Sequence, residues 1–354
     1  MSDCQVLSPE MNYFTQSLEQ NAYKDGIPLK GTFELTPRCN FNCNMCYVHL
    51  TDAQAKAMGR ELTNEEWLNI ARQARDAGML YLTLTGGEVF TRPGFRELYE
   101  ALSDMGFLIQ ILTNGYLIDE KVMEWLKKRP PYELRFTLYG ASNEAYEAVC
   151  GIKDGFDRVS HAIDLVLETD IPFYTVGTIV KENECDLQAM YAYARKKKFI
   201  FQHTIAVVHP VRGATADAWD HRIDMAALTE EELKDVKKVP RFYAKRYSAL
   251  ETCGSYRKGF WLTWDGKLQL CSFMTHPEVD IKQTDFLTAW ERLLGELQSL
   301  QTPKKCTTCK YEGFCQRCPG VLAAECGAPD QVNTAFCNKA KALYEIYFNG
   351  QEEI

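Results

Sequence analysis

The chain has 354 residues, 46% of them hydrophobic and 25% charged, with a formal net charge of −8. That balance suits a globular protein of one large or two moderate domains, and the acidic total argues against a nucleic-acid partner. No apolar run reaches the ~18 residues of a membrane span, and the polar N-terminus carries no export signal, so 14 cysteines point to metal in a reducing cytoplasm rather than to disulfides.

Residues 1–30 read as a polar extension, with Tyr13, Phe14 and Tyr23 as docking points onto the main domain. Residues 32–36 form a strand that runs into Cys39-Asn-Phe-Asn-Cys43-Asn-Met-Cys46. Thiolates are soft ligands that favour iron–sulfur clusters or zinc. A closed zinc site wants four ligands, yet the next cysteine is Cys150. Three protein ligands and one open position fit a [4Fe–4S] cube with one unligated iron. Asn40, Asn42 and Asn44 read as loop, whereas Cys4, Cys150 and Cys185 read as small buried hydrophobes.

Strand and helix then alternate. Residues 62–77 are helical, with Thr63 and Glu66 spaced as a capping box. Strands at 80–85, 107–112, 134–138, 173–180 and 200–208 alternate with helices at 93–105, 119–128, 143–149, 156–168 and 186–197. Such alternation predicts a parallel sheet with covering helices. Eight-stranded barrels need roughly 250 residues, so six units over 31–227 predict an open, partial (β/α)6 TIM barrel. Ligands bind beyond the carboxyl ends of such strands. Gly86-Gly87-Glu88, Thr113-Asn114, Thr137 and Arg212 all fall there. Glycines allow close backbone approach to a ligand. Glu88 offers an acceptor, Thr113, Asn114 and Thr137 line one face, and Arg212 suits a carboxylate. Residues 214–227, with Trp219, His221 and Arg222, form a candidate rim. His209, Asp217, Asp220 and His221 are its weak candidates for a proton acceptor.

Residues 228–252 read as linking helices. In 253–354, strands at 260–264 and 267–271 flank Asp265-Gly266, a hairpin signal. Cys253, Cys271, Cys306, Cys309, Cys315, Cys318, Cys326 and Cys337 crowd this region. Residues 306–337 lack apolar periodicity, so the region reads as a small, mostly irregular domain folded on metal.

The early loop, with Met45 before and Tyr47 after its last cysteine, resembles the signature of the radical S-adenosylmethionine (SAM) superfamily. Thr85-Gly-Gly-Glu88 is similar to that family's GGE element, although Val89 stands where proline is common. The late cysteines resemble the SPASM extension, with two residues rather than three between Cys315 and Cys318, and Cys326 as an extra thiol. The resemblance implies that the open iron binds SAM and that the reduced cluster cleaves it to a 5′-deoxyadenosyl radical. Two auxiliary [4Fe–4S] clusters are also implied. Cys306, Cys309, Cys315 and Cys337 would hold one. Cys253, Cys271 and Cys318 would hold the other, with Cys326 as its fourth ligand or an iron left open. Zinc-ribbon binding is the competing reading of the same thiols. The GGE backbone would meet the SAM ammonium, and Thr137 its ribose or carboxylate.

SPASM-bearing relatives mostly act on peptides and proteins. The Thr137-Leu-Tyr-Gly stretch leans toward an oxidative peptide maturase making thioether or C–C crosslinks. The alternatives are an anaerobic sulfatase-maturing, formylglycine-generating enzyme and a non-catalytic iron–sulfur electron carrier. Expected partners are a peptide or protein substrate, a flavodoxin or ferredoxin as electron donor, and a separate leader-peptide-binding protein, because residues 1–30 are short for that module.

Overall fold

The computed structural model describes residues 9–215, 218–223, 250, 253–315 and 317–349. Asp217, Cys4 and the expected helices at 228–252, apart from Leu250, lie outside the described residues.

Nine strands form one sheet: β1 (Lys30–Glu34), β2 (Tyr81–Thr85), β3 (Leu108–Thr113), β4 (Glu133–Thr137), β5 (Phe173–Thr178), β6 (Ile200–Thr204), β7 (Gly259–Leu262), β8 (Lys267–Cys271) and β9 (Met274–Asp280). Their order is β6-β5-β4-β3-β2-β1-β7-β8-β9. The first six are parallel neighbours in chain order. The C-terminal hairpin continues the same sheet, because β7 pairs in parallel with β1 and then antiparallel with β8. Gly266, at φ 91°, takes the left-handed position of the hairpin turn.

Alternation along the parallel strands separates two faces. Leu82, Leu84, Ile109, Ile111, Leu134 and Phe136 are buried in the main core. They face α3 (Asn64–Asp76), α4 (Phe95–Asp104), α5 (Glu120–Lys128), α6 (Asn143–Cys150), α7 (Gly155–Leu167) and α8 (Leu187–Lys197). The opposite parity carries polar residues. Thr83 donates to Gln110 at 3.3 Å, Gln110 bonds Glu133, and Arg135 lies over the Tyr174 ring at 4.4 Å. Ordinary parallel strands are apolar on both sides, so the polar face sets this sheet apart.

Local chemistry sets the helix starts. Thr63 and Glu66 form the expected capping box, and the unforeseen α2 (Asp52–Met58) has a second one through Thr51 and Gln54. Asp119 and Ser142 cap α5 and α6.

Several expectations change. Residues 9–25 are a helix, α1 (Pro9–Asp25), whose Tyr13 and Phe14 are 74% and 62% exposed and do not dock it. Tyr23 does dock, edge-on to Tyr256 at 6.2 Å, and polar bonds add to it: Trp290 Nε1 donates to Gly26 O at 2.6 Å, and Arg257 donates to the Tyr23 and Lys24 carbonyls. The C-terminal region is also less irregular than its composition implies. It contains α9 (Phe286–Gln298), α10 (Pro319–Cys326) and α11 (Thr334–Asn349). Pro at the first turn and Gly327 in the left-handed conformation delimit α10. Its buried residues, Pro319, Gly320, Val321 and Leu322, are consecutive and show no helical period, whereas Phe286, Ala289, Trp290, Leu293 and Leu297 give α9 a regular one.

Candidate functional site

The three-cysteine loop follows β1 and rests on the end of α6. Asn42 N donates to Cys150 O at 3.2 Å and Asn44 N to Val149 O at 3.0 Å, so orphan carbonyls of that helix terminus hold the loop. Asn114 Nδ2 donates to Asn40 Oδ1 at 2.8 Å and lies 3.9 Å from Cys39 Sγ. Burial pushes the Cys39 thiol up to about 12 and the Cys46 thiol to about 11. Loading a metal on these thiols would therefore release protons. Cys150, read from sequence as a separate hydrophobe, is buried with its thiol on Cys43. That hydrogen bond, followed by burial, holds the Cys43 thiol well above its ordinary range.

Gly86 and Gly87 meet protein rather than open space. A Cβ on Gly86 would stand 2.5 Å from Thr36 O, and one on Gly87 would stand 2.3 Å from Arg38 O. Gly87 N and Glu88 N donate to those two carbonyls at 2.8 Å each. The glycines thus lock the end of β2 onto the segment entering the cysteine loop. The Glu88 carboxylate is buried and accepts from Thr113 Oγ1 at 2.8 Å, Asn114 N at 2.7 Å and Phe90 N at 3.1 Å. Burial outweighs these bonds and raises Glu88 to about 7. Thr113 pairs in register with Phe136 on the helix-covered side, whereas Thr137 has the opposite parity on the polar face. The two threonines do not line one face, because they stand at positions of opposite pleat.

Arg212 adopts φ 54° and extends into the mouth, where Nη1 lies 2.8 Å from Glu34 Oε2. Glu34 also accepts from Trp261 Nε1 at 2.7 Å. Both Arg212 Nη atoms are buried without a well-aligned acceptor. Val211 N donates to Tyr47 O at 2.9 Å, which sets this turn against the cysteine loop. Tyr47 meets Phe273 edge-on at 5.0 Å, so the residue after Cys46 touches the segment that follows Cys271.

On the rim, His209 stacks on Trp219 at 4.2 Å, and Arg222 covers Trp219 with its guanidinium carbon 3.4 Å from the ring centroid. Glu325 of α10 ties both ends, accepting from His209 N at 3.1 Å and Arg222 Nη1 at 3.0 Å. His221 is paired with Glu182, and Asp220 contributes its carbonyl to Lys181. Stacking fixes the orientation of the His209 ring on Trp219.

The late thiols converge in two groups. Burial raises Cys271 to about 11, with Cys318 and Cys253 close enough to add to it. A Cβ on Gly320 would lie 2.9 Å from Cys271 Sγ and 3.9 Å from Cys318 Sγ, so the absent side chain leaves room beside both sulfurs. Cys337, in α11, is raised by burial and then by Cys306 and Cys309. Cys326 ends α10 beside Glu325, and none of its contacts among the described residues joins it to either group. Among the described residues no closed metal-ion site is already formed. The donor chemistry nevertheless fits an anionic cluster. Arg317 is buried between Cys315 and Cys318, and its Nη2 has no partner among the described residues. That Nη2 leaves one N–H pair of a buried guanidinium available to an anionic partner.

Sequence reading missed the Glu34–Arg212–Trp261 group, Arg317 and the neighbours of Cys43. A glutamate inside the first strand was the available signal, since charged residues are rarely buried unpaired.

The family model of the radical SAM superfamily matches residues 33–194. The chain is 25% identical over 326 residues to AdoMet-dependent heme synthase of Methanosarcina barkeri, covering 83% of this chain and 92% of that protein. Identity is also 25% to the subtilosin biosynthesis protein AlbA of Bacillus subtilis, over 82% of this chain and 67% of AlbA. It is 29% to PqqA peptide cyclase of Rhizobium meliloti, over 48% of this chain and 45% of that enzyme, so the chain spans under half of this relative's length. Streptococcus suis SuiB bound to S-adenosylmethionine shares the fold, with a TM-score of 0.69 at 17% identity over 93% of this chain and 83% of SuiB.

Proposed function

We propose that the chain is a radical SAM enzyme, as the family match over residues 33–194 supports, and that it is an oxidative peptide maturase that forms thioether or carbon–carbon crosslinks in a ribosomally made peptide. The observation that supports this reading is the contact of Tyr47, next to Cys46, with Phe273, two residues after Cys271. In this reading the early loop generates the radical and the late thiols would hold an electron acceptor near it, as an oxidative reaction requires. Relatives named for peptide work support it: AlbA, PqqA peptide cyclase and the sporulation killing factor maturation protein SkfB of Bacillus subtilis.

In this reading the parallel strands curl into a partial barrel whose cavity is the polar sheet face. Cys39, Cys43 and Cys46 would hold a [4Fe–4S] cluster. Cys253, Cys271 and Cys318 would hold an auxiliary cluster, and Cys306, Cys309, Cys315 and Cys337 another. When bound, these groups supply the electron that cleaves SAM, the hydrogen-abstracting radical and a sink for the substrate's electron. The protein supplies position. The backbone of Gly86 and Gly87 frames the SAM site. Glu88 holds Thr113 and Asn114 in place, and Asn114 in turn holds Asn40 beside Cys39. Thr137 offers a hydroxyl from the polar face, and Arg212 offers unsatisfied N–H groups to a carboxylate of SAM or substrate. The stacked His209–Trp219–Arg222 rim limits water entry to the mouth. A flavodoxin or ferredoxin would supply electrons, and a separate protein the leader-peptide recognition. Among the described residues no helix is long and apolar enough to cross a membrane.

Anaerobically reconstituted protein should form 5′-deoxyadenosine from SAM and dithionite. A precursor peptide from the neighbouring genes should lose two hydrogens per crosslink. No 5′-deoxyadenosine with all clusters assembled would refute the enzyme reading. Formylglycine on a sulfatase peptide would replace the maturase with the sulfatase-maturing alternative. A second reading, a heme-forming reaction, is favoured by the relative that aligns over 92% of its length. Turnover of an acid-bearing porphyrin, with no peptide modified, would select it.

A further inference from the structure

We propose that Glu325 is a positioning residue for the peptide substrate: from α10 its carboxylate holds His209 and Arg222, and through them the Trp219 ring that a peptide side chain meets beside the cysteine loop. This deepens the maturase reading and rests on it.

The carboxylate joins two separate segments. Its Oε1 accepts from His209 N at 3.1 Å in the turn after β6, and its Oε2 accepts from Arg222 Nη1 at 3.0 Å on the rim. Both partners then pack on one ring: His209 lies within 5° of parallel to Trp219, and the Arg222 guanidinium covers it. The same segments are docked on the cysteine loop. Ala218 is buried in one apolar cluster with Met45, Val180 and Val207, and Val211 N donates to Tyr47 O at 2.9 Å. The connection after β5 holds the rim from the other side, because Lys181 donates to the Asp220 and His221 carbonyls. Trp219 itself remains 42% exposed, so part of a fixed indole is offered to solvent next to the loop that holds Met45. A tryptophan already held in place binds an apolar peptide side chain with little further loss of freedom.

Helix stability does not account for a carboxylate at this position. The Glu325 side chain is 1% exposed and that of Arg222 10%. A buried ion pair is weak evidence for stability, because desolvation offsets the attraction. A negative charge in the last turn of α10 also opposes the helix dipole. What the carboxylate does, and an apolar side chain cannot, is accept from two segments at once. The helix that starts just after Cys318 thereby fixes the rim with its other end.

The test compares reconstituted wild type, Glu325→Ala, Trp219→Ala and the double variant, with a precursor peptide encoded by the neighbouring genes as the probe. Glu325→Ala should raise the peptide KM about tenfold, the worth of one hydrogen bond to a charged group, while kcat at saturating peptide holds. Amide hydrogen exchange over residues 205–211 should quicken in the same variant. Trp219→Ala should also raise KM, and adding Glu325→Ala to it should change little more, because the glutamate acts through the ring. An unchanged KM in Glu325→Ala, unchanged exchange, or full additivity with Trp219→Ala overturns the proposal and leaves the maturase reading intact. A wild-type chain that modifies no peptide overturns that reading and the proposal with it. If Glu325→Ala fails to fold, Trp219→Ala removes only a partly exposed ring and carries the test: no rise in KM overturns the proposal.

Discussion

The Arg212 guanidinium and the Glu34 carboxylate stand 2.8 Å apart with side chains only 10% and 6% exposed, and Trp261 donates to the same carboxylate oxygen. The pair joins the turn after β6 to the end of β1, across the mouth. Removing one partner strands a buried charge, whereas removing both need not destabilise. Arg212→Met should cost about 3–5 kcal/mol of stability, and Glu34→Leu with Arg212→Met should recover most of it. Urea titrations of the four chains of this cycle decide the point. A neutral single substitution would mean the charge finds water.

Replacing Cys39, Cys43 and Cys46 by alanine should abolish SAM cleavage while the iron held by the late thiols remains. Iron content and 5′-deoxyadenosine, measured on the same preparation, separate the two. Retained cleavage would refute the assignment of these ligands.

Gly320 makes the reciprocal prediction. In Gly320→Ala the new Cβ would press on Cys271 Sγ from 2.9 Å, with Cys318 Sγ next at 3.9 Å. Auxiliary iron should fall while the SAM-responsive signal persists. Gly86→Ala and Gly87→Ala act differently, because rigid carbonyls at 2.5 Å and 2.3 Å face each new methyl. Each should lower stability by about 1–3 kcal/mol and perturb the early cluster.

Glu88 links pH to stability. Its folded value, about 7, lies above its ordinary 4.5, so the folded state binds the extra proton between these values. Stability from this group is therefore full below about pH 4.5 and is lost as pH rises toward 7, by roughly 3 kcal/mol at most. Glu88→Gln should flatten that slope in melting temperatures measured from pH 5 to 7. It should also lower stability overall, because an amide nitrogen cannot accept from Asn114 N. A slope unchanged by the substitution would assign the pH dependence elsewhere.

Much was legible in one dimension because its causes are local. Hydrophobic period, capping pairs such as Thr63 with Glu66, and the spacing of Cys39, Cys43 and Cys46 depend on neighbours a few residues away. So do the six strand–helix units and the turn at Asp265-Gly266. The helix Pro319–Cys326 escaped notice because its buried residues are consecutive rather than periodic, and α1 because its docking bonds come from Arg257 and Trp290, over two hundred residues on.

The tertiary structure alone decided which groups surround the thiols. Cys150 and Tyr139 reach Cys43 from about a hundred residues downstream, and Tyr47 meets Phe273 across the sheet formed when β7 joins β1. No local rule carries such pairings, since chain closure and burial choose them together. The cysteine spacing by itself pointed to a metal with an open position on the loop. The fold determined that this loop rests on the end of α6, lies against the turn that carries the Arg212–Glu34 pair, and meets the segment that follows Cys271.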